Sequence, residues 1–173
     1  MDYVSIIQKE LSTGTANNPA VPVNLIPLVI AQAQHESANF TSNVFLNSNN
    51  PFGYTYANSS YQIGDYEGFG TYESVADAAN EINDYLYRRV ADSSFPALDT
   101  ITTADQYAQL LADAGYYADS EANYAAGIQK WLDIDGGSPL AIAEEFVEEN
   151  PVPSIVGVIG FGIALYFIFS ETS

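Results

Sequence analysis

A long apolar run near the carboxyl end divides this sequence into two unequal parts. Residues 151–170 carry no charged side chain, and 155–169 are almost wholly apolar. About 17 to 20 such residues are near the lower limit for a helix that crosses the hydrocarbon core of a bilayer. The alternative is a buried core helix, but core helices are usually shorter and have a polar face. The run therefore predicts a single transmembrane anchor at 151–170.

The charge balance restricts the partners of the chain. It has 22 acidic residues against four basic ones, for a formal net charge of -18. Such a surface repels phosphates and anionic headgroups, so we expect no nucleic-acid partner. A hydrophobic content of 47% is nevertheless enough for a folded core.

Two absences concern redox chemistry and export. The sequence has no cysteine, which excludes disulfides, a thiol nucleophile and thiolate metal sites. The first ten residues lack the basic start and apolar stretch of a secretory signal, so we expect no export by that route.

Apolar periodicity and capping signals predict a mainly helical domain over residues 1–135. An acidic linker helix opening at Ser138-Pro139 is predicted over 136–150, before the anchor. Five helices are predicted in the domain. The first spans 2–12, the second begins at 24–27 and ends at about 38, and the last spans 121–133. The third begins at Ser74 with Asp77, and the fourth begins at Thr103 with Gln106.

Residues 47–73 break the helical pattern. They are rich in Asn, Tyr, Gly and Ser, with turn signals at 57–60 and at Gly64-Asp65. This composition predicts a small hairpin lobe. A lobe of this kind beside a helical body implies a cleft between them.

Glu36 is the residue most suited to acid chemistry. It ends the apolar second helix, where the negative end of the helix dipole and the loss of water both favour a protonated carboxyl. Such a group can act as a general acid near neutral pH. The residue type alone favours the alternative, a solvated glutamate in a last helical turn.

His35, the only histidine, lies next to Glu36 but does not complete a zinc motif, because position 39 is Asn. We expect it on the helix surface or in packing. The sequence indicates no metal and no organic cofactor.

Five short motifs, taken in order, resemble the glucosaminidase-type peptidoglycan hydrolases, glycoside hydrolase family 73. The resemblance covers about residues 22–132 and implies a lysozyme-like α+β fold. The motifs are Ala-Gln-Ala-Gln-His-Glu-Ser at 31–37, Asn-Asn-Pro-Phe-Gly at 49–53, Phe-Gly-Thr-Tyr-Glu-Ser at 69–74, Ala-Gly-Tyr-Tyr-Ala at 114–118 and Asn-Tyr-Ala at 123–125.

The resemblance implies roles for residues within these motifs. Glu36 matches the family's general acid. Other matching residues would line the sugar groove, either as its floor or as aromatic rings that face the saccharide, although core packing is an equal alternative for them. These residues are Asn50, Phe52, Gly53, Tyr72, Tyr116, Tyr117 and Tyr124.

Glycosidases usually need a second carboxylate, which the family takes from its hairpin lobe. Glu67 is the first candidate here and Asp65 the second, while Glu73 fits a helix start. The lobe is shorter than the family's. If neither residue assists, Glu36 could act alone, in the way of lytic transglycosylases, in which a single acid also serves as the base.

The predicted function is a membrane-anchored enzyme that cuts the β-1,4 glycan strand of peptidoglycan. An anchor without an export signal suggests a bacteriophage particle with a lipid membrane, in which other virion proteins are possible partners. The alternative is a non-catalytic spike or glycan-binding protein that keeps the fold.

Overall fold

The computed structural model describes residues 2–91, 95–117 and 120–135. The predicted linker helix at 136–150 and the predicted anchor at 151–170 lie outside these residues. Within the described part of the chain, no helix has the length and apolar character needed to cross a bilayer.

The described residues form a helical body with a small sheet. The second helix is its centre, since nine consecutive residues, 26–34, are buried. The helices are α1 (Tyr3–Thr13), α2 (Ile26–Glu36), α3 (Asn43–Ser48), α4 (Val75–Val90), α5 (Ala104–Asp113) and α6 (Glu121–Ile134), and the strands are β1 (Gln62–Tyr66) and β2 (Phe69–Tyr72).

Capping residues set the helix starts that the sequence predicted. Ser74 Oγ accepts from the backbone N–H of Asp77 at 3.3 Å, and the Ser74 N–H donates to the Asp77 carboxylate at 3.0 Å. Thr103 and Gln106 form the same reciprocal pair before α5. Both predicted helix starts are confirmed.

The central helix packs against a neighbour on each side. It contacts α1 and α6, while α4 packs on α1 and α5 packs on α6. A buried hydrogen bond of 2.6 Å from the Tyr107 hydroxyl to the Gln32 side chain ties α5 to α2. Residues 26–34 of α2 are thus held inside the body, and Glu36 follows at its edge.

The hairpin lobe differs from the prediction in two ways. Residues 43–48 form α3, and Gly64-Asp65 lies within β1 beside a bulge, so the predicted turn there is wrong. The turn is at Glu67-Gly68, where both residues have positive φ (53° and 87°). A glycine inside a strand often marks a bulge, which explains why the Gly-Asp pair resembled a turn.

A third extended segment joins the two-stranded antiparallel sheet. The Tyr54 carbonyl accepts from the Gly70 N–H at 2.9 Å, and the Tyr56 N–H donates to the Gly68 carbonyl at 2.9 Å. Residues 54–56 therefore lie along the free edge of β2. The mainly helical body with this lobe fits the predicted lysozyme-like α+β class.

Candidate active site

Glu36 lies at the last residue of α2, half-buried between the helical body and the hairpin lobe. Its Oε1 accepts a 2.6 Å hydrogen bond from the Tyr124 hydroxyl. The backbone of Gly53 lies on the other side, since a Cβ there would be 3.2 Å from Oε2. Gly53 has φ +66°, a conformation that suits glycine. The carboxyl group is thus held by α6 and by the loop before the sheet.

The chain turns sharply after Glu36. Three consecutive residues, 38–40, have left-handed φ angles of 50°, 55° and 62°. Such conformations cost roughly 1 to 2 kcal/mol each for residues other than glycine. Ser37 stabilises the turn, because its hydroxyl donates to the Ala33 carbonyl at 2.6 Å and accepts from the Phe40 N–H at 2.8 Å. This turn ends α2 two residues before the predicted end.

The surroundings of Glu36 raise its pKa above the usual value. Burial is the main cause, since loss of water disfavours the charged form. The Tyr124 hydrogen bond and the nearby His35 act in the opposite direction and are outweighed. The group therefore keeps its proton to a higher pH than a solvated glutamate, as a general acid requires.

Tyr124 is itself fixed by aromatic neighbours. Its ring stacks on that of Tyr117, with centroids 3.9 Å apart and planes 11° apart. The His35 ring meets it edge-on at 5.5 Å. His35 also covers Gly127, where an added Cβ would collide with the imidazole. His35 is therefore both exposed and in packing contact, which matches the two expectations for it.

A cluster of aromatic rings packs next to the loop that contains Gly53. The Tyr116 hydroxyl donates to the carbonyl of Phe52, the residue before Gly53. The Tyr116 ring also contacts those of Tyr54 and Tyr85 at 5.4 and 5.5 Å. No motif in the sequence pointed to a site role for Tyr54 or Tyr85, although Tyr54 directly follows the Phe-Gly motif.

Three of the predicted sugar-binding side chains lie in the core. Phe52 is fully buried and Tyr72 is 1% exposed. The Asn50 amide is used within the lobe, donating to the carbonyls of Tyr54 at 2.8 Å and Gly70 at 3.0 Å. Packing and internal hydrogen bonds occupy these side chains, which agrees with the core-packing alternative, and their direct contact with a sugar stays a prediction. Gly53, Tyr116, Tyr117 and Tyr124 are the predicted residues gathered at Glu36.

The two candidate second carboxylates are exposed on the hairpin lobe. Asp65 lies in β1 opposite Gly70, whose N–H bonds Tyr54 on the far side of β2. Two strand spacings, about 10 Å, therefore separate the backbones of Asp65 and Tyr54. Glu67 is in the turn at the end of the hairpin. Glu73 is exposed just before the cap of α4, as expected for a helix start.

The described residues do not bring together any group of three or more side chains that could hold a metal ion. The arrangement presents instead a carboxyl group with a raised pKa, a tyrosine donor fixed by its neighbours and a glycine backbone next to the carboxyl. Such a set can transfer a proton to an oxygen atom of a bound substrate.

Comparison with known proteins gives one match. A family model described as "Glucosaminidase: Mannosyl-glycoprotein endo-beta-N-acetylglucosaminidase" matches residues 20–134, more than half of the chain. The matched range includes α2 with Glu36, the whole hairpin lobe and α6 with Tyr124. No curated protein and no solved structure matches the chain.

Proposed function

The chain belongs to the glucosaminidase family and is a glycoside hydrolase of the peptidoglycan-cleaving type, and on this premise we propose that Glu36 is its proton donor. The observation that carries the proposal is the half-buried Glu36 carboxyl, held between Tyr124 and Gly53 with its pKa raised. Family membership favours this enzyme over a non-catalytic spike or glycan-binding protein.

In the proposed reaction, the glycan strand lies in the cleft with its scissile oxygen at Glu36. Tyr124 occupies Oε1, which leaves Oε2 for the substrate. Glu36 gives its proton to the glycosidic oxygen as the bond from that oxygen to C1 breaks, and positive charge develops on the ring. The Tyr124 hydrogen bond then stabilises the carboxylate that remains.

Asp65 is our choice to assist in the next step. It would take a proton from the water that attacks C1, which completes hydrolysis. The register of the sheet supports Asp65 over Glu67, because Asp65 lies level with Tyr54, next to Gly53, whereas Glu67 is displaced into the turn. This order reverses the one expected from the sequence.

A lytic transglycosylase remains the second mechanism, since Glu36 is half-buried with a raised pKa, whereas Asp65 and Glu67 are exposed on the hairpin lobe. In that case the Glu36 carboxylate takes the proton of the C6 hydroxyl, whose oxygen attacks C1 and closes an anhydro ring. No water is consumed.

The test is digestion of purified glycan strands by the full chain in detergent, with mass spectrometry of the products. Loss of a general acid lowers the rate by about 10² to 10⁴, so we expect Glu36→Gln to cleave the strands more slowly than wild type by this factor. Glu73→Gln, an exposed glutamate on the lobe, is the matched control and should cut at the wild-type rate. Equal cleavage by Glu36→Gln and wild type would contradict the proposal.

The same products separate the two mechanisms and identify the bond. Reducing ends that carry an added water indicate hydrolysis, and anhydro ends indicate transglycosylation. The sugar found at the new end shows which of the two glycan bonds is cut.

We also propose that residues 151–170 anchor the enzyme in a lipid bilayer. The support is the uncharged, apolar sequence of that run. The full chain should remain in vesicles after alkaline carbonate extraction, whereas Ile159→Lys combined with Ile163→Lys should release it. Release of the wild-type chain would rule the anchor out.

The membrane of a bacteriophage particle is the location that we propose for this anchor. The net charge of -18 supports it, because such a domain avoids packaged nucleic acid. Antibodies against the domain should label intact particles from outside. A domain that is protected until the particle is opened, and lies with the genome, would contradict this location.

A further inference from the structure

A second carboxylate is buried away from Glu36. Glu81 lies on the side of α4 that faces the hairpin lobe and is 6% exposed. In the described part of the chain, the ion pair found is Lys9–Glu10, so no basic side chain compensates Glu81 there. Burying a carboxylate is costly unless hydrogen bonds replace its water. The contacts of Glu81 should therefore indicate its purpose.

Those contacts hold both strands of the hairpin. Glu81 Oε2 accepts from the Tyr72 hydroxyl at 2.6 Å and from Gln62 Nε2 at 3.3 Å. Tyr72 ends β2 and Gln62 begins β1, and the two residues are paired in the sheet. One carboxylate oxygen on α4 thus fixes the base of the lobe.

Gln62 extends the connection to the third segment of the sheet. Its Oε1 accepts from the Ala57 N–H at 2.8 Å, and its Nε2 lies 3.3 Å from the Thr55 carbonyl oxygen. Residues 55–57 follow Gly53 and Tyr54 in the chain, and Gly53 lies next to the Glu36 carboxyl. A continuous series of contacts therefore runs from Glu81 to the loop at the active site.

Gly70 gives independent evidence that this fit is tight. A Cβ at Gly70 would be 2.5 Å from Gln62 Nε2 and 2.6 Å from its Cδ. Only glycine at this position lets the Gln62 side chain reach Glu81. The Gly70 N–H also bonds the Tyr54 carbonyl, so the same residue adjoins both Gln62 and the segment that follows Gly53.

We propose that Glu81 is a positioning residue that, through Gln62 and Tyr72, sets the place of Gly53 and Asp65 relative to Glu36. The inference rests on the proposed role of Glu36 as the acid. A stabilising contact alone would not need a carboxylate, because apolar residues at such sites are often equally stable. What the carboxylate adds is a fixed geometry between helix and lobe.

The test compares folded variants of the full chain on purified glycan strands, with kcat and KM measured well below each Tm. Glu81→Ala should lower kcat/KM at least tenfold, since a displacement near 1 Å can cost about 10² in rate. Glu81→Gln keeps an oxygen that can accept from Tyr72, so it should stay within threefold of wild type. Gly70→Ala should reproduce the loss while leaving the carboxylate in place.

Asn83→Ala is the matched control. Asn83 is buried on the same helix and donates to the Pro19 carbonyl, away from the lobe. It should lower Tm without lowering kcat/KM more than twofold. A folded Glu81→Ala protein with kcat/KM within twofold of wild type would overturn the proposal. If Glu81→Ala does not fold, wild-type kcat/KM in Gly70→Ala would overturn it.

These outcomes are distinct from failure of the proposed function. If Glu36→Gln cuts as fast as wild type, the acid assignment fails, and the positioning role fails with it. If Glu36→Gln is inactive while Glu81→Ala and Gly70→Ala retain full kcat/KM, only the positioning role is wrong.

Discussion

The two sides of the Glu36 cleft are built differently. On the helical side, α2 is buried for nine consecutive residues and α6 supplies Tyr124, stacked on Tyr117. On the lobe side, a thin sheet exposes Asp65 and Glu67 and is held to α4 by a few polar side chains. Burial in the core therefore raises the pKa of the proposed acid, whereas hydrogen bonds to α4 help to fix the lobe that carries the proposed assisting group. Variants on each side should affect different quantities.

The largest effect on the lobe side should come from Asp65→Asn. As the base for water, Asp65 would contribute on the order of 10² to 10³ in kcat/KM. Glu67→Gln is the matched control and should stay within threefold, since it lies in the turn. If both variants cut normally and the products carry anhydro ends, the lobe only binds substrate and Glu36 acts alone.

Gly53→Ala tests the boundary between the two sides. The added Cβ would lie 3.2 Å from Glu36 Oε2 and would require a left-handed conformation that alanine disfavours. We expect kcat/KM to fall on the order of 10², because the carboxyl group must move. Gly68→Ala, also at positive φ but with open space around it, controls for backbone strain. Equal losses in both variants would mean that strain alone explains the effect.

Tyr124→Phe should show how the helical side controls the acid. Its hydrogen bond lowers the pKa of Glu36, so removal should raise that pKa further. Because the proposed acid works when protonated, the alkaline limb of the kcat/KM profile should move to higher pH. The plateau should fall about tenfold, as one hydrogen bond to the product carboxylate is lost. Tyr87→Phe, whose hydroxyl bonds Ala20 instead, should leave the limb unchanged.

The smallest effect should be one of stability. Burial raises the pKa of Glu36 in the folded state, so the fold loses stability as pH rises from the unfolded-state pKa through the folded one. Glu36→Gln removes this loss and should raise Tm by roughly 2 to 4 °C at about pH 7. The gain should vanish below about pH 4, near the ordinary glutamate pKa. A lower Tm for Glu36→Gln at pH 7 would show that the carboxylate is not destabilising.

The helices were predictable because their signals are local. The start of α4 depends on Ser74 and Asp77, three residues apart. Pro27 lies in the first turn of α2, as predicted for a proline near a helix start. α3 was missed because six residues give little periodicity. Its Phe45 packs edge-on against Tyr3 at 4.9 Å, a contact that no local pattern reveals.

The roles of the motif residues were only partly predictable. The motifs indicated the glucosaminidase family, which the family model confirms. They did not distinguish side chains that face the cleft from those that support it. Asn50 and Phe52 belong to the second group, because the lobe's own hydrogen bonds and aromatic packing occupy them.

The sequence by itself determined that an apolar helix carries a glutamate near its end and that a short lobe follows it. Only the tertiary structure decided what surrounds that glutamate. Tyr124, 88 residues away, donates to one carboxyl oxygen, and Gly53 lies next to the other. A carboxyl pKa depends on burial and on partners in space, and these are set by how distant helices and loops pack. The same carboxylate in an open last turn would be an ordinary surface charge.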